Sequence, residues 1–326
     1  MSNNPLQGHI RLYAAGGCGI NIASFFEPAA GKQEPGHSIP HPVYIDTSMS
    51  NIRDGINKEH TFIIEGVDGS GKVRRENYQE ITKNVKSLLT EFKPMDFNVV
   101  VFSASGGSGS VFGPLIIGEL LSRGLPVVAV VVGSDESNIA AHNTLNTLKS
   151  LEAIATKHEL PVVMYYEHNE PGLKRSDIDI SCRHLISALS ILASRQNSEM
   201  DSKDIQNWVQ YNKTTSVPPR LSLVEVYHSN EEADQATQPV SVASLLESPD
   251  SPSIKVAPEY HCAGYPRNPG NGFKLTHYVI TVAGVPVLAR KIQERINELE
   301  QLKASRVLHD SLVESRDDTT TEGLVL

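Results

Sequence analysis

The sequence predicts an α/β protein: a Rossmann-like parallel sheet with helices on both faces, a central linking helix and a smaller α+β domain behind it. Three observations carry this expectation. Through the first two hundred residues, apolar β-branched runs alternate with helical spacings, the pattern of parallel strands that each return through a helix. Two of the strand-to-helix turns are glycine clusters, Ala15-Gly16-Gly17-Cys18-Gly19-Ile20-Asn21 and Ser105-Gly106-Gly107-Ser108-Gly109-Ser110. Beyond the polar stretch Asn197 to Asp204, the composition shifts to Pro-, Ser- and Gly-rich segments between fewer strands, as in a smaller domain with long surface loops.

The elements follow in order. A strand over Ile10 to Ala14 meets the first glycine cluster, which opens a helical pattern from Ile20 to Phe26. After the loop Pro28 to Pro42, a strand ends in Val43-Tyr44-Ile45-Asp46-Thr47, and Thr61 to Glu65 is the next strand candidate. Ile81, Val85, Leu88 and Leu89 mark a helix over Asn77 to Phe92. Asn98 to Ser103 is a strand, followed by the second glycine cluster and a helix from Val111 to Arg123. Leu125 to Val132 is apolar throughout except Pro126, as a central strand buried on both faces requires. Asn138 to His158 and Ser176 to Arg195 are helical, with the strand Pro161 to Tyr166 between them. In the second half the strand candidates are Leu221 to Tyr227 and Thr276 to Val282. A helix from about Val287 to Leu308 carries Arg290, Lys291, Arg295, Lys303 and Arg306, and leads into an acidic tail ending Leu324-Val325-Leu326.

Composition narrows the function. With 39% hydrophobic and 21% charged residues, the chain has the make-up of a globular protein with a substantial core. A net charge of −9 argues against a nucleic-acid-binding surface. Cys18, Cys182 and Cys262 are odd in number and lack metal-ligand spacing, so they read as free thiols. The polar start Ser2-Asn3-Asn4-Pro5 does not resemble a signal peptide, and no apolar run has membrane-span length, so a cytoplasmic protein with no membrane contact is expected.

The glycine clusters carry the chemistry. Glycines between a strand and a helix let backbone N–H groups face an anion, and the helix adds the positive end of its dipole. Two such turns suggest two loops holding one polyphosphate. Neither fits the dinucleotide fingerprint, because Ile22 stands where its last glycine belongs. Gly66-Val67-Asp68-Gly69-Ser70-Gly71-Lys72 satisfies most of a P-loop and resembles that of thymidylate kinases. Val73, however, replaces the hydroxyl that would hold Mg²⁺. A phosphotransferase using Lys72 is the alternative reading.

A G-G-x-G-x-N turn after the first strand, then S-G-G-S-G-S after a later one, resembles the tubulin/FtsZ family of GTPases, and most closely the divergent tubulins of large bacteriophages. Their signature loop, G-G-S-G-S-V, is matched by Gly106 to Val111, and Asp204-Ile205-Gln206-Asn207-Trp208-Val209 resembles another of their motifs. The resemblance implies GTP or GDP as ligand, with Mg²⁺, bound by Gly16, Gly17, Cys18, Gly19, Asn21 and the Ser105 to Ser110 loop. Asp46 corresponds to a sugar- or phosphate-contacting loop, Gly69-Ser70-Gly71 to a γ-phosphate-sensing loop, and Ser134-Asp135-Glu136 to the ribose side. Asn169, with Asp177 or Asp179, falls where the family meets guanine. Glu199-Met200-Asp201-Ser202-Lys203-Asp204 is similar to the N-x-D-x-x-D loop whose acids act on a neighbouring subunit's γ-phosphate; Asp at a helix start also serves as a cap. The resemblance further implies head-to-tail filaments forming a spindle that centres phage DNA in the host cytoplasm, with the tail contacting a neighbouring subunit. The implied division is 1–175 for the GTPase domain, 176–196 for the core helix, 197–285 for the C-terminal domain, 286–309 for the terminal helix and 310–326 for the acidic tail.

Overall fold

The computed structural model describes residues 7–170, 172–267 and 273–306. The chain begins β1 (His9–Ala15), α1 (Gly16–Ala23), β2 (Ile39–Asp46), β3 (Thr61–Ile63), α2 (Tyr78–Glu91), β4 (Phe97–Ser103) and α3 (Gly109–Ser122). It continues through β5 (Val127–Ser134), α4 (Asn138–His158), β6 (Val162–Asn169), α5 (Arg175–Leu192), β7 (Asn197–Ser198) and α6 (Ser202–Val209). The remainder is β8 (Leu221–Tyr227), α7 (Asn230–Ala233), β9 (Pro239–Leu245), β10 (Tyr260–Pro266), β11 (Thr276–Thr281) and α8 (Gly284–Ala304).

The strands form one sheet in the order β3-β2-β1-β4-β5-β6-β8-β11-β9-β10-β7. The first six are mutually parallel, so Ala15, Asp46, Ile63, Ser103, Ser134 and Asn169 all end at one edge. In open sheets of this kind ligands bind outside those carboxyl ends. Three residues of β6, Val162 to Met164, pair in parallel with Leu221 to Leu223 of β8, which carries the sheet into the second half. There β8, β11 and β9 are antiparallel neighbours.

Side-chain alternation divides the core. Val100, Phe102, Ala129 and Val131 point to one face and pack with Ile81 and Leu88 of α2, Phe112 and Ile116 of α3, Leu148 and Leu151 of α4, and Ile292 and Ile296 of α8. Val99, Val101, Val128 and Val130 point to the other face, against Ile178, Cys182, Leu185 and Leu189 of α5 and Trp208 of α6. α5 also ties to the second half, where Tyr278 Oη donates to the Ala188 carbonyl at 2.6 Å.

Several expectations shift. The first helix starts at Gly16, not Ile20, and passes after Ala23 into a 3-10 turn, Ser24–Ala29, around Pro28. β9 and β10 were not expected. The terminal helix begins three residues earlier than expected and is described to Ala304; the acidic tail lies outside the described residues.

Candidate active site

The two glycine turns meet at the carboxyl edge of the sheet. Gly16 has φ +72°, a left-handed conformation open to glycine, and it turns the chain from β1 directly into α1. A β-carbon on Gly109 would lie 2.7 Å from the Ala15 carbonyl oxygen, so the second turn can pack on the first only as glycine. Neither helix is closed by a side chain: the residues preceding α1 and α3, Ala15 and Ser108, make no side-chain capping bond, and neither first turn holds an acid. Their leading N–H groups and positive dipole ends are thus left to face an anion.

Around these turns lies a cleft of about 670 Å³. It is lined by Gly16, Gly17, Cys18 and Asn21 from α1, Asp46 from the end of β2, Gly69, Ser70 and Gly71, and Ser105 to Gly109. Ser134, Glu136, Asn169 and Asp179 complete the expected part of its wall. Hydroxyls knit the loops together. Thr47 Oγ1 and Ser108 Oγ are 2.7 Å apart, and Ser108 Oγ donates to Ser70 Oγ at 3.2 Å. Asn143 of α4, not foreseen, donates from Nδ2 to the carbonyls of Lys72 (2.9 Å), Ser105 (3.2 Å) and Gly106 (3.3 Å), pinning two loops together.

Burial tunes the cleft's titratable groups. Asp46 is 2% exposed, and burial pushes its carboxyl above the usual range against the pull of hydrogen bonds from Asn51 Nδ2 (2.8 Å) and the Thr47 N–H (2.8 Å). Asp179 is likewise raised by burial, opposed by Arg183 and Arg53, and it accepts from Asn21 Nδ2. The Cys18 thiol is pushed up to about 12 by burial, which keeps it protonated.

Four expected residues lie outside this wall. Gly19 packs α1 on β4, where a β-carbon would collide with the Val101 carbonyl. Ser110 turns inward, donating to the Gly106 (2.7 Å) and Gly107 (2.8 Å) carbonyls. Asp135 points toward His168, 3.4 Å away, and Arg295, 3.8 Å away. Asp177 is exposed in the first turn of α5, whereas Asp179, two residues on, faces the cleft. Sequence reasoning missed Ser48, Asn51, Arg53 and Arg175, which also line it. Lys72 lines it too, but not as a P-loop lysine: no helix opens at the loop, and α2 begins only at Tyr78.

Asp201 and Asp204 stand at the other end of the sheet. Gln206 and Gln210, on and just after α6, donate to the Gly124 carbonyl (3.4 and 3.0 Å), just before β5 starts. The eight residues of β5 then separate α6 from the cleft by about 25 Å. Both acids build a capping box. Asp201 Oδ1 accepts from the N–H groups of Lys203 (2.6 Å) and Asp204 (3.1 Å), and Asp204 Oδ2 accepts from the Asp201 N–H at 2.9 Å.

A parallel-sheet domain whose uncapped glycine turns converge on one cleft, continued by a mixed sheet behind a core helix, is tubulin-like. Residues 9–167 match the tubulin/FtsZ family, GTPase domain, and residues 200–285 match the phage tubulin-like protein, C-terminal domain. The chain is 30% identical over 319 residues to the phage tubulin-like protein of Pseudomonas phage PhiPA3, covering 97% of this chain and 98% of that one. It belongs to the tubulin/FtsZ family. A second phage tubulin-like protein, from Pseudomonas phage phiKZ, is 28% identical and covers 97% of each chain. Among solved structures, the TubZ protofilament of bacteriophage PhiKZ superposes with a TM-score of 0.87 at 29% identity, covering 97% of this chain and 99% of that one. The GDP complex of the phage tubulin PhuZ gives 0.88 at 26% identity, with the same coverage.

Proposed function

We propose that this protein binds GTP in the cleft, polymerises head-to-tail and hydrolyses the nucleotide where two subunits meet. The observation that carries the reading is the separation of the acids from the cleft in a single chain. Stacking one subunit on the next brings the α6 end of one against the glycine loops of the other.

The amides of Gly17 and Cys18 and of Gly106 to Gly109, with the Ser108 and Ser70 hydroxyls, hold the phosphates. Asn21, Asn169 and Asp179 read the base, Ser134 borders the sugar, and Asp46 lies on the phosphate side beside Thr47 and Ser108. Among the described residues no group of three or more His, Cys, Asp or Glu side chains could hold a metal ion. A Mg²⁺ ion therefore fits as one carried in on the phosphates, beside Ser108 and Thr47, where it would neutralise charge. The neighbour's Asp201 and Asp204 orient water in line with the γ-phosphorus. A water oxygen–phosphorus bond forms, the bond to the β–γ bridging oxygen breaks, and the proton passes to solvent or a carboxylate.

The relatives with filament structures support assembly, among them a structure described as a PhuZ201 filament, 25% identical to this chain. In this reading the filaments form a spindle that positions phage DNA in the host cytoplasm, driven by polymerisation without direct nucleic-acid or membrane contact. The acidic tail, residues 310–326, then binds a neighbouring subunit, for which the exposed Arg290, Lys291 and Lys303 of α8 offer a basic receiver. The domain division at 175, 196, 285 and 309 belongs to this reading. Electron microscopy with GTP and with a nonhydrolysable analogue, alongside phosphate release across protein concentration, tests it. Filaments with both nucleotides and turnover rising more steeply than protein concentration are expected. Turnover strictly proportional to concentration down to the lowest level would refute hydrolysis between subunits.

A further inference from the structure

The cleft must receive a highly anionic ligand, yet its wall holds four carboxylates, Asp46, Asp68, Glu136 and Asp179, and three cations, Arg53, Lys72 and Arg175. Arg53 and Arg175 lie close enough to Asp179 to act on its carboxyl, on the base side. Lys72 is placed differently. Its Cα lies 3.2 Å from the position a β-carbon on Gly107 would take, directly against the phosphate loop. Its carbonyl is fixed to that loop through Asn143. Its backbone is left-handed, φ +66°, an unusual conformation for a lysine. Its ammonium is turned to Glu136 Oε1, 2.8 Å away, and Glu136 Oε2 is held in turn by Arg175 at 3.3 Å.

That ion pair is half-exposed (49% and 36% of the two side chains) and so contributes little to stability. It is an inexpensive contact to exchange. A flexible four-carbon stem rooted beside Gly107 can swing from Glu136 to a phosphate over the loop. We infer that Lys72 distinguishes triphosphate from diphosphate: it pairs with Glu136 when no γ-phosphate is present and transfers to the γ-phosphate when one is bound. Glu136 keeps Arg175 in both states, so its carboxylate stays anchored beside the first turn of α5 while Lys72 exchanges. The inference rests on the nucleotide reading above and adds a side-chain cation to a site otherwise built from amides and hydroxyls.

The test is binding of fluorescent GDP and of fluorescent GTPγS to the full chain and to Lys72→Met, Lys72→Arg and Glu136→Gln, with thermal melts as a folding control. Lys72→Met should weaken GTPγS by about tenfold or more, the scale of one lost charge-assisted contact. GDP should stay within about twofold, and Lys72→Arg should recover most of the loss. Glu136→Gln removes the competitor and should raise the ratio of GTPγS affinity to GDP affinity. Equal loss of both nucleotides in Lys72→Met, or loss of neither, overturns the inference while the nucleotide reading of the wild-type cleft stands. A wild-type chain that binds neither nucleotide overturns the nucleotide reading, and this inference with it.

Discussion

Asp201 and Asp204 cap a helix in the folded chain, and the same carboxylates are proposed to position water on a neighbour's nucleotide. Substitution can separate these roles because a cap needs an acceptor oxygen, whereas catalysis needs the charge. Asn is as good an N-cap as Asp, while Ala loses the cap at about 1 kcal/mol. Asp201→Ala should therefore melt about 1–2 °C lower and Asp201→Asn should melt as wild type. A loss of about 1 kcal/mol from a total of roughly 5–15 kcal/mol leaves nearly every molecule folded. It cannot produce a large fall in turnover. If the carboxylates act in catalysis, Asn and Ala at either position should both lose GTP hydrolysis by about a hundredfold or more, with fluorescent GDP binding unchanged. Phosphate release at several protein concentrations, paired with melting curves, measures both quantities on one preparation. Asn variants that hydrolyse GTP within about threefold of wild type would show that the acids are caps only, and the assignment would be withdrawn.

Three further outcomes follow from individual residues. His277 is fully buried, accepts or donates hydrogen bonds to Ser244 (2.8 Å) and Asn230 (2.9 Å), and burial lowers it to about 4. Its stabilising contribution is full above the ordinary histidine value of about 6.5 and is lost as pH falls from there toward 4. Denaturation midpoints should drop over that window, and His277→Gln should flatten the slope; an unchanged slope would place the acid sensitivity elsewhere. Asp46 has the opposite sign, since a raised carboxyl makes the fold less stable as pH climbs through its titration. Asp46→Asn, with the Asn51 amide flipped, should melt higher than wild type in nucleotide-free protein at neutral pH, and the gap should close on acidification; a gap constant with pH would mean that burial of charge is not its source. Glu199 sits at φ +61° with Tyr265 Oη donating to it at 3.3 Å. Glu199→Asn, a residue more tolerant of that conformation, should raise the denaturation free energy by about 0.5–1 kcal/mol, and a loss in chemical denaturation would contradict the strain argument.

The parallel half of the fold is legible because its strands are buried on both faces and read as apolar runs. Val127 to Val132 has no polar residue, and the helix over Asn138 to His158 has the expected bounds, set by the Ser137 cap and a left-handed Glu159. β9 and β10 were hidden for the opposite reason. Pro239–Leu245 carries Ser241 and Ser244, and Tyr260–Pro266 holds His, Gly and Pro; both read as loop from composition. Ser241 and Ser244 are buried because tertiary partners satisfy them, Ser241 donating to the Trp208 carbonyl (3.1 Å) and Ser244 meeting His261 (2.9 Å) and His277. The site divides in the same way. Glycine turns announce themselves, but Arg53 and Asn143 come from segments between motifs, and only the fold brings Arg53 to the cleft and Asn143 to the loops that form it. Asp177 and Asp179 differ by two helical positions, about 200° around the axis, a distinction that needs the helix's orientation.

The sheet's polarity explains why one chain would not complete its own site. Six parallel strands place every strand-to-helix turn at one edge, so the phosphate amides collect there without any special folding device. The same polarity sends each return connection, including Gly124, to the opposite edge, where α6 is docked by Gln206 and Gln210. A carboxylate fixed on α6 cannot travel the length of β5 to its own cleft while the core between them, Val128 to Val131 fully or almost fully buried, stays packed. A binding edge and an acid-bearing edge on opposite ends of a rigid sheet are complementary to each other only between molecules. Translation along the strand direction is the simplest operation that joins them. It repeats without closing, so under the proposed function it would generate a filament in which each junction holds one nucleotide and one pair of acids.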